Sequence, residues 1–242
     1  MPSRTTAHPA LAIRIFGSGR PVAALHGFTL TGKQFASLAG SDLQIHAADL
    51  PGHGRTRVDP IDLSTTVTAV AEWLASFDQP VPLMGYSQGG RIALLTALEY
   101  PDLVERLVLV STSLGIEDEN ERRIRRVSDE TLADRIEEIG IERFLDEWIS
   151  GPFTATGHLD EATRQTDRDV RMENTAAGLA TALRGLGQGS QPYVGDQLAE
   201  LGVPLLTISG ERDAKYASLA AATASGAPDG RHVSIEDAGH NV

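Results

Sequence analysis

Three short segments of this chain carry residues that could do chemistry together, and their order matters. Gly85-Tyr86-Ser87-Gln88-Gly89 fits the pattern G-x-S-x-G, in which a serine stands on a tight turn between a strand and a helix. The pentapeptide alone is a weak signal. Here a strand-like run, Val81 to Met84, precedes it and an apolar helical pattern, Gln88 to Tyr100, follows. A serine hydroxyl is inert near neutral pH, so it needs an imidazole to take its proton and a carboxylate to orient that imidazole. Asp213, in Gly210-Glu-Arg-Asp213, and His240, in Ala238-Gly-His240, each follow a further strand-like run. Serine, carboxylate, histidine is the chain order in which parallel strands would deliver a triad to one edge of a sheet. Taken singly these residues read as a capping serine, a surface acid and a loop histidine. Taken together they predict a catalytic triad of Ser87, Asp213 and His240, with Glu211 and Asp237 as the nearby substitutes for the carboxylate.

Two further segments bear on such a site. Leu25-His26-Gly27-Phe28 sits just past an early strand, where the backbone N–H groups of Phe28 and Gln88 would face a developing oxyanion. His26 is expected to be structural, and Asp49-Leu-Pro-Gly-His-Gly54 to fix a turn, since Asp49 and His53 alone do not make a metal ligand set. No metal and no cofactor are expected. Arg91 lies four residues after Ser87, one helical turn on and on the same face. A cation in a first helical turn opposes the helix dipole by roughly 0.3–1 kcal/mol, which a bound anion would offset; a neighbouring carboxylate or solvent would also satisfy it. Arg122, Arg123, Arg125, Arg126 and Arg171 follow, and Lys215 stands two residues beyond Asp213. Arg122 and Arg125 are three apart and share a helix face, so they could line a local positive chamber.

The elements that must hold these residues alternate between short strands and longer helices, which predicts an α/β fold with a mostly parallel sheet. The strand candidates are Leu11 to Phe16, Val22 to Leu25, Gln44 to Ala47, Val81 to Met84, Leu107 to Val110, Pro204 to Ser209 and His232 to Ile235. Ser64 to Phe77 reads as a helix with a serine cap. From Gly115 to about Gln191 the pattern turns to charged helical segments, including Ser128 to Ile139 and Ile141 to Ile149, and the glycine-rich stretch from Gly185 to Pro192 reads as the return to the sheet. This predicts a core of residues 1–114 and 192–242 interrupted by a helical lid at 115–191.

The net charge of −12, with 33 acidic against 21 basic residues, argues against nucleic acid and anionic membranes as partners. No apolar run approaches the roughly 18 residues of a membrane span, and the polar start of the chain forms no signal-peptide core. Cysteine is absent, which fits a reducing compartment, and a cytoplasmic location is expected.

The chain resembles the 2-succinyl-6-hydroxy-2,4-cyclohexadiene-1-carboxylate synthases of menaquinone biosynthesis, which have the α/β-hydrolase fold. The resemblance runs from Leu25-His-Gly-Phe28 and Asp49-Leu-Pro-Gly-His-Gly54 through Gly85-Tyr-Ser-Gln-Gly-Gly-Arg91. It continues with Glu121-Arg-Arg-Ile-Arg125, Trp148, Phe153, Arg171, Gly187-Gln-Gly-Ser-Gln-Pro192, Gly210-Glu-Arg-Asp-Ala-Lys215 and Ala238-Gly-His-Asn241. It implies a lyase that eliminates pyruvate from a small tricarboxylate. Arg91, Arg125 and Arg171 would then hold the carboxylates, with Tyr86, Trp148, Phe153 and Lys215 shaping the chamber. The fold also hosts serine esterases, carbon–carbon-bond hydrolases and non-catalytic small-molecule receptors, so a triad by itself leaves those readings open. One departure stands out: the sequence stops two residues after His240, where relatives continue into a terminal helix. Without that packing the histidine end is expected to be frayed and apolar surface exposed.

Overall fold

The computed structural model describes residues 11–56, 61–151 and 160–242. Among these residues seven strands form one sheet: β1 (Ala12–Gly17), β2 (Arg20–Leu25), β3 (Leu43–Asp49), β4 (Val81–Tyr86), β5 (Val104–Val110), β6 (Leu205–Gly210) and β7 (Gly230–Ile235). Their spatial order is β1-β3-β2-β4-β5-β6-β7; β1 runs antiparallel to β3 and every other pairing is parallel. All seven strand candidates are present, most of them longer than their apolar runs. β4 is buried on both faces and reads as a near-continuous apolar run, and β5 does so from Leu107 to Val110.

The chain crosses from one side of β2 to the other between β3 and β4. The carboxyl ends of β2 and β4 therefore flank the crevice where open α/β sheets place their ligands. Helix α1 (Leu63–Leu74) makes that crossing. Its cap is Asp62 and not a serine, since the Asp62 side chain accepts from Thr65 N at 2.8 Å. Helix α2 (Gln88–Glu99) follows β4 and is buried along most of its length, which fixes it against the sheet. Beyond β6, α7 (Ala214–Gly226) leads to the edge strand β7, where Val233 and Ile235 are exposed.

Between β5 and β6 lie, among the described residues, four α-helices: α3 (Glu119–Ile139), α4 (Ile141–Ile149), α5 (Glu161–Arg171) and α6 (Ala176–Leu186). They have an apolar core of their own, with Ala133, Ile136, Phe144, Leu145, Leu179, Ala180 and Leu183, onto which Phe28 and Trp148 pack. Helix α3 starts nine residues before the expected Ser128. Its early turns bury nothing, so no apolar stripe marks them, yet Asp118 accepts from Glu121 N at 2.8 Å as an ordinary N-cap. Gly185 belongs to α6 and not to a turn. A Cβ there would lie 2.0 Å from Ile61 O, so glycine lets the helix press against the segment before α1.

Candidate active site

The serine is aimed by the turn it occupies. Ser87 has φ 50° and ψ −110°, a backbone state that L-residues avoid and that costs of order 1–3 kcal/mol. It is held because Ser87 N donates to Val110 O at 2.9 Å and Ser87 O accepts from Thr112 Oγ1 at 2.7 Å. The turn is also crowded: a Cβ at Gly89 would lie 2.2 Å from Leu25 O, so a glycine there allows α2 to start against the end of β2.

Asp213 caps α7, accepting from Tyr216 N at 3.2 Å through Oδ1. Its other oxygen, Oδ2, lies 2.7 Å from His240 Nδ1, and His240 Nε2 lies 3.3 Å from Ser87 Oγ. The hydrogen-bond chain Asp213–His240–Ser87 thus spans the ends of β6, β7 and β4. Glu211 instead accepts from Asp237 N, and Asp237 pairs with Arg212, so neither substitute faces the imidazole in these contacts. Burial lowers the His240 pKa, the Asp213 carboxylate opposes that, and Lys215 adds a smaller lowering. At neutral pH the ring is therefore neutral, with Nδ1–H donated to Asp213 and Nε2 free to accept from the serine.

A cavity of about 350 Å³ opens over Ser87 and His240. Of the residues the sequence assigned to the site, Phe28, Tyr86, Gln88, Arg91, Arg125, Trp148, Arg171 and Lys215 all line it. Asp213 stands behind His240, and Phe153 lies outside the described residues. Arg122 does not reach this cavity; it borders a separate surface hollow with Arg123 and Arg126. The positive chamber therefore takes Arg125 but not the arginine one turn before it.

The three cavity arginines are held differently. Arg171 is buried, donates through Nε and Nη2 to the Asp167 carboxylate at 2.7 and 3.0 Å, and bonds Thr29 Oγ1 through Nη1. Arg125 donates Nε to Asp129 at 2.7 Å and Nη1 to Gln188 Oε1 at 2.6 Å. Arg91 donates to neutral acceptors, Gln191 Oε1 and Leu186 O, each at 3.1 Å. Burial pulls its pKa down to about 10, which leaves it protonated at neutral pH.

Sequence reasoning passed over Tyr216, Gln188 and Asn241 as cavity residues. Tyr216 sits with its ring centroid 4.5 Å from that of His240, and Asn241 accepts a short hydrogen bond from Tyr86 Oη. For Tyr216 and Asn241, nearness to Asp213 and His240 in the chain was the available signal. Burial raises the pKa of both Tyr86 and Tyr216, so both hydroxyls stay protonated donors.

His26 has the structural role expected of it. It is fully buried, accepts from Leu50 N at 2.9 Å through Nε2, and has Nδ1 2.8 Å from Gly27 O. Asp49 ties the following turn by accepting from Arg14 Nε, Gly32 N and Arg55 N, each at 2.9 Å. Among the described residues no group of three or more histidine or acidic side chains is placed to hold a metal. Among them, too, no helix is long and apolar enough to cross a membrane.

A family model described as the alpha/beta hydrolase family matches residues 22–242. A Bacillus subtilis (strain 168) protein provisionally named 2-succinyl-6-hydroxy-2,4-cyclohexadiene-1-carboxylate synthase is 36% identical over 230 residues, covering 91% of this chain and 84% of its own length. The protein of that name from Salmonella heidelberg (strain SL476) is 30% identical, covering 90% of this chain and 85% of its own length. The solved structure of MenH from S. aureus superposes with a TM-score of 0.88 at 27% identity, covering 94% of this chain and 90% of that one.

Proposed function

We propose that this chain, which belongs to the alpha/beta hydrolase family and within it to the 2-succinyl-6-hydroxy-2,4-cyclohexadiene-1-carboxylate synthases, eliminates pyruvate from 2-succinyl-5-enolpyruvyl-6-hydroxy-3-cyclohexene-1-carboxylate. The observation that carries this reading is the joining of a serine–histidine–aspartate chain to Arg91, Arg125, Arg171 and Lys215 around one cavity, in a protein of net charge −12. A substrate with three carboxylates suits such a cavity, because guanidinium groups bind carboxylates with both charge and direction.

In the proposed mechanism Ser87 acts as a general base without forming an acyl-enzyme. His240 accepts the hydroxyl proton at Nε2 as Ser87 Oγ takes the proton from the carbon beside the succinyl ketone. The Phe28 and Gln88 N–H groups stabilise the enolate oxygen as its charge develops. Collapse of the enolate forms a C2–C3 double bond, shifts the existing ring double bond from C3–C4 to C4–C5 and breaks the C5–O ether bond, and pyruvate leaves as its enolate, which takes the proton held by His240 to become pyruvate. Asp213 holds the imidazole tautomer and stabilises the imidazolium. Residues 115–191 act as the lid that supplies Arg125, Trp148 and Arg171.

The test is a continuous assay of pyruvate release from the purified intermediate, with formation of the conjugated diene followed in parallel. The expected result is one pyruvate per diene. Absence of pyruvate together with a burst of p-nitrophenol from p-nitrophenyl acetate would overturn this reading in favour of an esterase that uses the same hydrogen-bond chain with water.

A further inference from the structure

We propose that Gln191 is a positioning residue for substrate: its amide oxygen fixes the Arg91 guanidinium in the cavity while leaving the guanidinium charge uncancelled. The inference rests on the reading of this cavity as a carboxylate-binding site and assigns it a source of attraction. Arg171 and Arg125 each donate Nε to a carboxylate, of Asp167 and Asp129 respectively. Much of their field is spent within the protein. The bonds of Arg91 run to the Gln191 amide and to the Leu186 carbonyl in the last turn of α6, both neutral.

The identity of the facing atom is fixed by chemistry, because arginine has only donors and so must meet the amide oxygen of Gln191 and not its nitrogen. That orientation has a local cost: Gln191 is fully buried, and its Nε2 has no hydrogen-bond partner among the described residues. A glutamate of the same shape would offer Arg91 a charge-assisted bond and would carry no stranded N–H. It would also neutralise the one cavity arginine whose observed partners are uncharged. A buried neutral acceptor holds the cation in place and leaves its charge for an incoming anion, which an acidic partner cannot do.

The experiment compares wild type, Gln191→Glu and Gln191→Met by equilibrium binding of tricarballylate, an unreactive tricarboxylate, over a range of salt, beside KM and kcat for pyruvate release. Gln191→Glu is expected to fold with an unchanged or higher melting temperature, to bind tricarballylate at least about tenfold more weakly, and to show a shallower salt dependence. KM should rise by a similar factor while kcat changes little. Gln191→Met, which removes the acceptor and adds no charge, is expected to weaken binding by about threefold with the salt dependence kept; it carries the test if the glutamate variant does not fold. Wild-type affinity and salt dependence in either variant, or no tricarballylate binding by wild type, would overturn the inference. Failure of the proposed reaction reads out separately, as wild type that binds tricarballylate through Gln191 and Arg91 yet releases no pyruvate.

Discussion

His240 is oriented by Asp213: Nδ1 lies 2.7 Å from Oδ2, in a contact between a histidine two residues from the end of the sequence and the cap of the helix after β6. The loop that carries His240 is thereby tied to the sheet by a polar contact.

That bond, set against burial of the ring, predicts the pH profile. Burial holds the His240 pKa below its ordinary 6.5. The imidazole must be neutral to accept the serine proton, so kcat/KM should be flat near neutrality and fall as pH drops through a midpoint below 6.5. Lys215→Met removes a nearby cation and should move that midpoint upward. A wild-type midpoint at or above 7 would contradict the assignment.

Asp213→Asn keeps the shape and loses the charge. The amide would present the wrong partner to Nδ1–H or force the other tautomer, and kcat is expected to fall by about 10³–10⁴ with circular dichroism unchanged. A fall of less than about tenfold would mean that Asp213 only caps α7.

The strained serine predicts a trade of stability for activity. Glycine tolerates the φ of 50° at position 87. Ser87→Gly should therefore raise stability by about 1 kcal/mol, or about 2–4 °C in Tm, while removing pyruvate release. A lowered Tm would show that the hydroxyl stabilises the turn more than the backbone strains it.

His26 and His53 predict acid sensitivity unconnected with catalysis. Burial lowers them to about 4 and about 3, and each is neutral in the folded protein. In the unfolded chain both bind protons below 6.5, so the unfolded state takes up more protons and stability falls as pH drops from 6.5 toward 4. His26 alone corresponds to about 3 kcal/mol across that window. Urea denaturation at pH 7.0 and 5.0 checks this; equal midpoints would contradict it.

How far the sequence reaches depends on how local the determinant is. The elbow, the two later loops and all seven strands were legible because each is written in a few consecutive residues: G-x-S-x-G after an apolar run, or an acid just past another. The carboxylate partner of Arg171 was also readable in principle, since Asp167 precedes it by the four residues that bring helical side chains together. The partner of Arg91 was not, because Gln191 lies 100 residues away, in the segment that follows α6, and meets it only in the folded chain. Arg122 was misplaced for a related reason: a shared helix face does not fix which hollow a side chain borders, and Arg122 borders the one with Arg123 and Arg126 while Arg125 lines the cavity over Ser87. The polar opening of α3 carried no apolar period, and only its Asp118 cap marked the start.

The most direct test of the central claim is the rate of pyruvate release by Ser87→Ala with the purified intermediate. If the hydroxyl of Ser87 removes the carbon proton, kcat falls by at least about 10³ while KM shifts by less than about threefold. A variant that releases pyruvate within about threefold of the wild-type rate would contradict the account.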